Sequence, residues 1–559
     1  MKPKFFLPIL TLCLAGCTLI GVNFKVHNPR KPAGPQKFTK EQIVLGELNQ
    51  YRTCYDVYYY DFALDVNPDE KHLKGKVEIH ARATTAFSKV QIDLDQQFEI
   101  LSLVDKGSGV ELAYTRNQRA IYVDLSKEES ESFVIEITYQ GKPIAAKKAP
   151  WKGGFVWDKD ENKNPFVGVA CESDGASIWW PLKDHTSDEP DSMRLHYTVP
   201  EGLVAVGNGQ FEGDFRKEGK HTYNWFISYP INTYNVTIYV GKYQLIEDEY
   251  IGINGESLEI NHYVLPENYN KAKRHFKQLG GIIESFEKSF GPYPWYRDGF
   301  KLVESPYAGM EHQTAIAYGN GYKNDLGDVD YIILHETAHE WWGNSVTATD
   351  LADVWLQEGF ATYSEALYLE DKDGYAAYED HLLWTRIMIK NKYPVVGVKD
   401  RRCFHFRKNS DVYGKGAWIL HSLRCQIGDD ATFFDIIKTF YADYAYGLAD
   451  SEDFIRLVNQ KTGISYEWFF EQYLYINEVP EFEYNVIGDN FFYRWANMPK
   501  DFSKMKMIFI DEEKDSTVFY PTTKTAVFKI PVDEYGGYEF EIAATALYVF
   551  DRNKKLGFK

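Results

Sequence analysis

The sequence predicts a multidomain α+β protein: an N-terminal antiparallel β domain, a mostly helical central domain, and a small C-terminal β-sandwich. Three observations predict it. The chain has 559 residues, too many for one hydrophobic core, so roughly two to four domains are expected. Apolar and polar residues alternate with the two-residue period of half-buried strands between about residues 55 and 250, and again after Pro480. Between those stretches the apolar residues recur with the period of amphipathic helices. Hydrophobic residues at 44% and charged residues at 26% fit a soluble globular protein. A net charge of −19 argues against nucleic acid or an anionic lipid surface as partner.

Taken in order, residues 1–16 read as a signal rather than as part of the fold. Lys2 and Lys4 precede an apolar run over residues 5–14, too short to cross a bilayer but suited to a signal-peptide core. The run ends in Leu14-Ala15-Gly16-Cys17, which resembles the bacterial lipobox, where the chain is cut before a Cys that becomes lipidated. The expectation is a protein of the bacterial cell envelope, anchored through lipidated Cys17 at the outer membrane or periplasmic face. Residues 17–50, with Asn28-Pro29-Arg30-Lys31-Pro32-Ala33-Gly34-Pro35, read as an extended tether. Residues 51–250 form the β domain, shown by alternating runs such as Lys76-Val77-Glu78-Ile79-His80-Ala81 and by turn signals such as Asn67-Pro68-Asp69. Residues 251–477 form the helical domain, with helical periods over 268–290, 359–370, 378–390, 415–426, 431–444 and 451–459. Residues 478–559 return to strands, for example Lys506-Met507-Ile508-Phe509-Ile510. The spacing of Cys54, Cys171, Cys403 and Cys425 matches neither a zinc finger nor a disulfide scaffold, and it does not pair them.

Leu334-His335-Glu336-Thr337-Ala338-His339 carries the most chemical information. On a helix, His335 and His339 share one face and reach one metal ion, while Glu336 stands beside it without having to bind. Glu358, in Trp355-Leu356-Gln357-Glu358-Gly359-Phe360, supplies a third ligand. Two imidazoles and one carboxylate with a fourth position open is the pattern of a catalytic zinc site, one ion per chain. The apolar flanks, Tyr331-Ile332-Ile333-Leu334 and Trp341-Trp342, place this helix in the interior, where unpaired histidines would be costly.

With that motif placed, the chain from about residue 55 onward resembles the aminopeptidase N-like zinc metallopeptidases, the gluzincin peptidase family M1. Five landmarks in the family's order carry the resemblance. They are Asp65-Val66-Asn67-Pro68 with Leu73-Lys74-Gly75, Trp179-Trp180-Pro181-Leu182-Lys183-Asp184-His185, Ala308-Gly309-Met310-Glu311-His312, the zinc motif with Glu358, and Tyr413-Gly414-Lys415-Gly416-Ala417. The resemblance implies a thermolysin-like zinc domain and an aminopeptidase acting on peptides. Glu336 would take a proton from the attacking water and pass it to the leaving amine. Tyr413 would stabilise the oxyanion. Glu311, with Glu172 in support, would hold the substrate's α-ammonium, and Gly309 and Met310 would border the substrate. The Trp179 segment would close the substrate edge of the first domain.

The chain departs from the family pattern in two places. Ala308 and Gly309 exchange the usual Gly-Ala order and His312 replaces Asn, so the substrate-lining backbone is in question while Glu311 is intact. After Pro480 the sequence given continues in strands, without the large helical C-terminal domain of many members. A gluzincin endopeptidase shares the metal pattern but has no use for Glu311 and Glu172. A non-catalytic surface binding protein of the same fold would have no need to keep His335, Glu336, His339, Glu358 and Tyr413 together.

Overall fold

The structure is a computed structural model that describes residues 36–402, 410–500, 502–511, 516–530, 540–542 and 550–553. The signal-like residues and Cys17 lie outside the described residues, as does Cys403. Cys54, Cys171 and Cys425 are free thiols. Among the described residues no helix is long and apolar enough to cross a membrane.

Alternation in the N-terminal third produces an eight-stranded sheet. Its order is Gln210–Lys217, Lys220–Ile227, Ser192–Pro200, Tyr55–Asn67, His72–Ala83, Ser132–Gly141, Phe98–Asp105 and Val110–Glu111. In Ser192–Pro200 every second residue is buried, as one covered sheet face requires. Neighbours run antiparallel except Tyr55–Asn67 and Ser192–Pro200, which pair in parallel with Phe62 opposite Leu195. This pair is the one parallel exception in an otherwise antiparallel sheet. The chain returns to its first strand after a long excursion through other strands, and only such a crossover can deliver a parallel neighbour. A four-stranded sheet, Val204–Gly207, Ile238–Gly241, Pro165–Ala170 and Gly154–Lys159, contributes to the same core. There Phe62 stacks on Trp180 at 5.2 Å and Tyr197 meets Phe62 edge-on. Trp179 and Trp180 are fully buried in this core, so their segment serves packing. None of residues 179–185 lines the cavity beside His335 and His339, contrary to the substrate-edge expectation.

Two short helices correct the expected tether. Lys40–Gly46 is closed by a capping box in which Thr39 and Gln42 satisfy each other's backbone N–H groups. Gln50–Thr53 follows, and fully buried Arg52 donates to the carbonyls of Leu45 and Glu47 and pairs with Asp93. The Thr39-x-x-Gln42 signal lies just beyond the prolines, so compositional reading extends the tether too far.

The second core runs through the helical region and into the C-terminal strands. Four of its helices position the site: α1 (Tyr331–Ala338), α2 (Trp355–Asp373), α3 (Tyr375–Ile387) and α4 (Gly414–Ile427). The expected helix over 268–290 is interrupted, as Tyr269–His275 and Leu279–Phe290 flank a tight turn at Phe276–Gln278. A five-stranded sheet lies within this mostly helical region, in the order Gln244–Ile251, Ser257–Val264, Leu302–Glu304, Ile316–Tyr318 and Gly309–Met310. Its last three strands have two or three residues each, too few to display alternation. Helices α2 and α4 approach closely because glycine faces glycine. A Cβ on Gly359 would lie 2.9 Å from the Gly416 Cα, and one on Gly416 would lie 2.7 Å from the Gly359 Cα. After Pro480 the described strands form a four-stranded and a three-stranded sheet. Phe491 and Phe528 of the first meet Phe509 and Phe519 of the second, the packing expected of a small sandwich.

Candidate active site

Helix α1 begins at Asp330, whose carboxylate accepts from the N–H groups of Ile332 and Ile333. It ends at Ala338, yet His339 keeps right-handed helical dihedrals (φ −64°, ψ −20°), so the four-residue spacing of the two histidines holds. Residues 333–338 are all buried, as the apolar flanks required. The Nε2 atoms of His335 and His339 lie 3.2 Å apart, and Glu358 Oε2, from the first turn of α2, lies 3.5 and 3.4 Å from them.

The outer nitrogens fix what the inner ones can do. His339 Nδ1 donates to the Trp342 carbonyl (2.8 Å) and His335 Nδ1 to Glu365 Oε1 (2.6 Å). With both protons on Nδ1, both Nε2 atoms present lone pairs. Three acceptors therefore converge, and Glu358 Oε2 has no hydrogen-bond partner among the described residues. Such a cluster is stable only around a cation. Burial opposes charge on His335, but the Glu358 and Glu365 carboxylates beside it push its basicity well above the ordinary imidazole range. His335, His339 and Glu358 thus fit a metal ion. Glu365 Oε2 also binds His381 Nε2 of α3 at 2.7 Å, giving a chain from α3 through α2 to the metal helix. The sequence reading passed over Glu365 and His381. Glu365 lies seven residues after Glu358, two helical turns along the same face, and that spacing was the available signal.

Glu336 points into the same cavity, about 260 Å³ in volume, with Glu172, Glu311, Glu358, Met310 and Tyr413 on its walls. The structure brings together every residue named from the sequence for metal, catalysis and substrate. Gly309 packs against Glu336 itself, since a Cβ there would come 2.4 Å from Glu336 Oε1 and 2.8 Å from Ile332 Cγ2. The exchanged Ala308-Gly309 order therefore puts the glycine where no side chain fits. Glu311 Oε1 accepts from the Tyr234 hydroxyl (3.1 Å), which Gln357 Nε2 steadies at 2.9 Å. Asn344 donates to the Glu311 carbonyl and to Glu340, whose other oxygen accepts from the N–H of Thr314. Glu172 Oε1 is buried with no partner among the described residues. Burial, then the neighbouring Glu311, Glu358 and Glu336 charges, hold the Glu172 carboxyl well above its usual range. Burial and Glu358 raise the Tyr413 phenol well above its ordinary value, so it keeps its proton and remains a donor. His312 is fully buried against the Tyr239 hydroxyl at 2.6 Å and does not line the cavity. Burial lowers it to about 3, so it is a neutral core residue.

Comparison with known proteins agrees with this geometry. Residues 276–473 match the family described as peptidase family M1 domain. A leucyl aminopeptidase from Saccharolobus solfataricus is 22% identical over 513 residues, covering 84% of this chain and 62% of that protein. Aminopeptidase B from Rattus norvegicus is 25% identical over 405 residues, covering 66% of this chain and 54% of that protein. The chain thus spans a little over half the length of these curated relatives. Among solved structures, an M1 zinc metallopeptidase from Deinococcus radiodurans superposes with a TM-score of 0.63 at 22% identity. The match covers 76% of this chain and 95% of that one.

Proposed function

We propose that this chain, whose residues 276–473 match the peptidase family M1 domain, is a zinc aminopeptidase removing N-terminal residues from peptides outside the cytoplasm. One observation carries the reading. Besides Glu365, which His335 and His381 engage, four buried carboxylates, Glu172, Glu311, Glu336 and Glu358, share a cavity whose described lining holds no Lys or Arg. Carboxylates crowded in this way repel one another unless cations stand between them. A dication among His335, His339 and Glu358, and an ammonium between Glu172 and Glu311, supply the missing charge and leave Glu336 free to carry a proton. The names of the relatives, aminopeptidases all, support the same activity.

Zinc, when bound by His335, His339 and Glu358, supplies a positive charge that polarises the scissile carbonyl and makes water more acidic. Glu336 accepts the proton of the attacking water on its carboxylate and returns it to the departing amine. The Tyr413 hydroxyl donates to the oxyanion of the tetrahedral intermediate, a contact worth about 3–4 kcal/mol of barrier. Glu311 and Glu172 grip the α-ammonium, whose ordinary pKa near 8 keeps it mostly charged at neutral pH. That grip sets the cut after one residue.

The deciding measurement is kcat/KM for one dipeptide reporter with free and N-acetylated termini. The free amine is expected to be favoured about a hundredfold or more, because a site built for a charged group rejects an analogue lacking it. Glu311→Ala should erase most of the preference, and Glu172→Ala less of it. Equal rates with the parent enzyme would replace this reading with the endopeptidase one. The location rests on the lipobox-like Leu14-Ala15-Gly16-Cys17, with the chain held at the cell envelope by lipid on Cys17. A Cys17→Ser protein should lose membrane fractionation, and unchanged fractionation would refute the anchor.

A further inference from the structure

The cavity has two ends of different character. On the His339 side, candidate ligand atoms of Glu311, Glu336 and His339 lie within 4.8 Å of one another, and Glu172 adds its charge. On the His335 side the wall is apolar and aromatic. Tyr331 stacks on His335 at 5.5 Å with its ring tilted by 18°, and Ile332 follows on the same turn of α1. Trp384, from the last turn of α3, completes this wall with Met388 just beyond the helix. Trp384 is 53% exposed and Met388 55% exposed, although both line the cavity. Large apolar side chains left open at a cavity wall are unused binding area. Trp384 is also held in place, for its ring stacks at 5.8 Å on His381, which is anchored by Glu365.

We propose that this wall is the subsite for the side chain of the substrate's second residue, and that Trp384 makes it select large apolar or aromatic residues there. The inference rests on the aminopeptidase reading. A peptide whose ammonium sits between Glu172 and Glu311, and whose first carbonyl lies over the histidine pair, has crossed from the His339 side. Its next residue falls on the His335 side, against Tyr331, Ile332, Trp384 and Met388. A phenyl or isobutyl group there covers the exposed indole and thioether and displaces water from both. An acidic side chain finds no Lys or Arg in the described lining and meets the Glu365 carboxylate behind His335 instead. The selected substrates are peptides with an apolar second residue, and those with Asp or Glu in that position are rejected.

The test uses the zinc-loaded full chain and three amides that share an N-terminal Ala and differ in the second residue: Phe, Gly or Asp. The expected order of kcat/KM is Phe over Gly by roughly ten- to a hundredfold, the usual range for filling an apolar pocket, with Asp below Gly. Trp384→Ala should bring the Phe-to-Gly ratio close to one, whereas Trp384→Phe should keep most of it. A merely structural role for Trp384 would lower both rates together and leave the ratio intact. Calorimetric titration of the zinc-loaded Glu336→Gln variant with the Phe and Gly amides should show the same order in Kd. Cleavage of all three amides at similar rates overturns this inference alone, as does a Phe preference that survives in Trp384→Ala. Cleavage of none of them overturns the aminopeptidase reading and this inference with it.

Discussion

Glu336 and Glu358 are the same side chain on the wall of one cavity, and their neighbours drive them in opposite directions. Burial raises both. For Glu358 the facing imidazoles of His335 and His339 more than cancel that and hold it down to about 2. For Glu336 burial and the Glu311 and Glu358 charges prevail over the histidines and raise it. Glu336→Gln keeps the shape and removes the base, so bound zinc should stay near one per chain while kcat falls by several orders of magnitude. Elemental analysis and turnover on one sample check both halves. Glu365 acts one step further out, fixing the tautomer of His335. Glu365→Gln should weaken zinc affinity by about ten- to a hundredfold, read by competition with a chromogenic chelator. At this scale the sequence was most legible, because ligand spacing is a local property of one helix. His335, His339, Glu336 and Glu358 could be read from it. Tyr234, Asn344 and His381 could not, since each reaches the site across a fold that had to form first.

Among the elements, the contact that brings Glu358 and Tyr413 together is the crossing of α2 and α4 at Gly359 and Gly416. Glu358 precedes the first glycine and Tyr413 lies three residues before the second. A methyl group on either would drive the helices apart and shift Tyr413 relative to Glu358. Gly416→Ala is therefore expected to cost about 1–3 kcal/mol of stability through overpacking. It should also lower kcat at least tenfold in protein that is still folded, because small misplacements of catalytic groups are expensive. A thermal melt alongside kcat separates the two effects. Long helices such as α2 and α4 showed their period in the sequence, but the strand that delivers Gly309 and Met310 has only two residues and showed none. Register between elements was likewise hidden, including the parallel pairing of Tyr55–Asn67 with Ser192–Pro200.

Over the whole molecule, folding strips water from several histidines far from the metal. His262 accepts from the Leu302 N–H through Nδ1 and is lowered by burial to about 3. Above its unfolded pKa of about 6.5 both states are neutral and nothing is lost. As pH falls below that value the unfolded chain binds a proton that the folded chain refuses, so stability declines until about pH 3. At pH 5 the loss from this one residue is about 2 kcal/mol. His262→Gln has no such proton to bind. The stability difference between parent and variant should therefore change by about 2 kcal/mol between pH 7 and pH 5, measured by urea unfolding at each. The seam between the two cores is closed by a pair that sequence reading could not foresee, Asp184 with Arg402 at 2.7 Å, both buried and 218 positions apart. The carboxylates of the ammonium end have a last consequence, for the order in which the catalytic cycle empties. In the proposed cycle the shortened peptide leaves with its new amine beside Glu336 alone, while the released amino acid still carries the ammonium that Glu311 and Glu172 would hold. The peptide should depart first and the amino acid last, so free amino acids should inhibit competitively, and their N-acetylated forms should not.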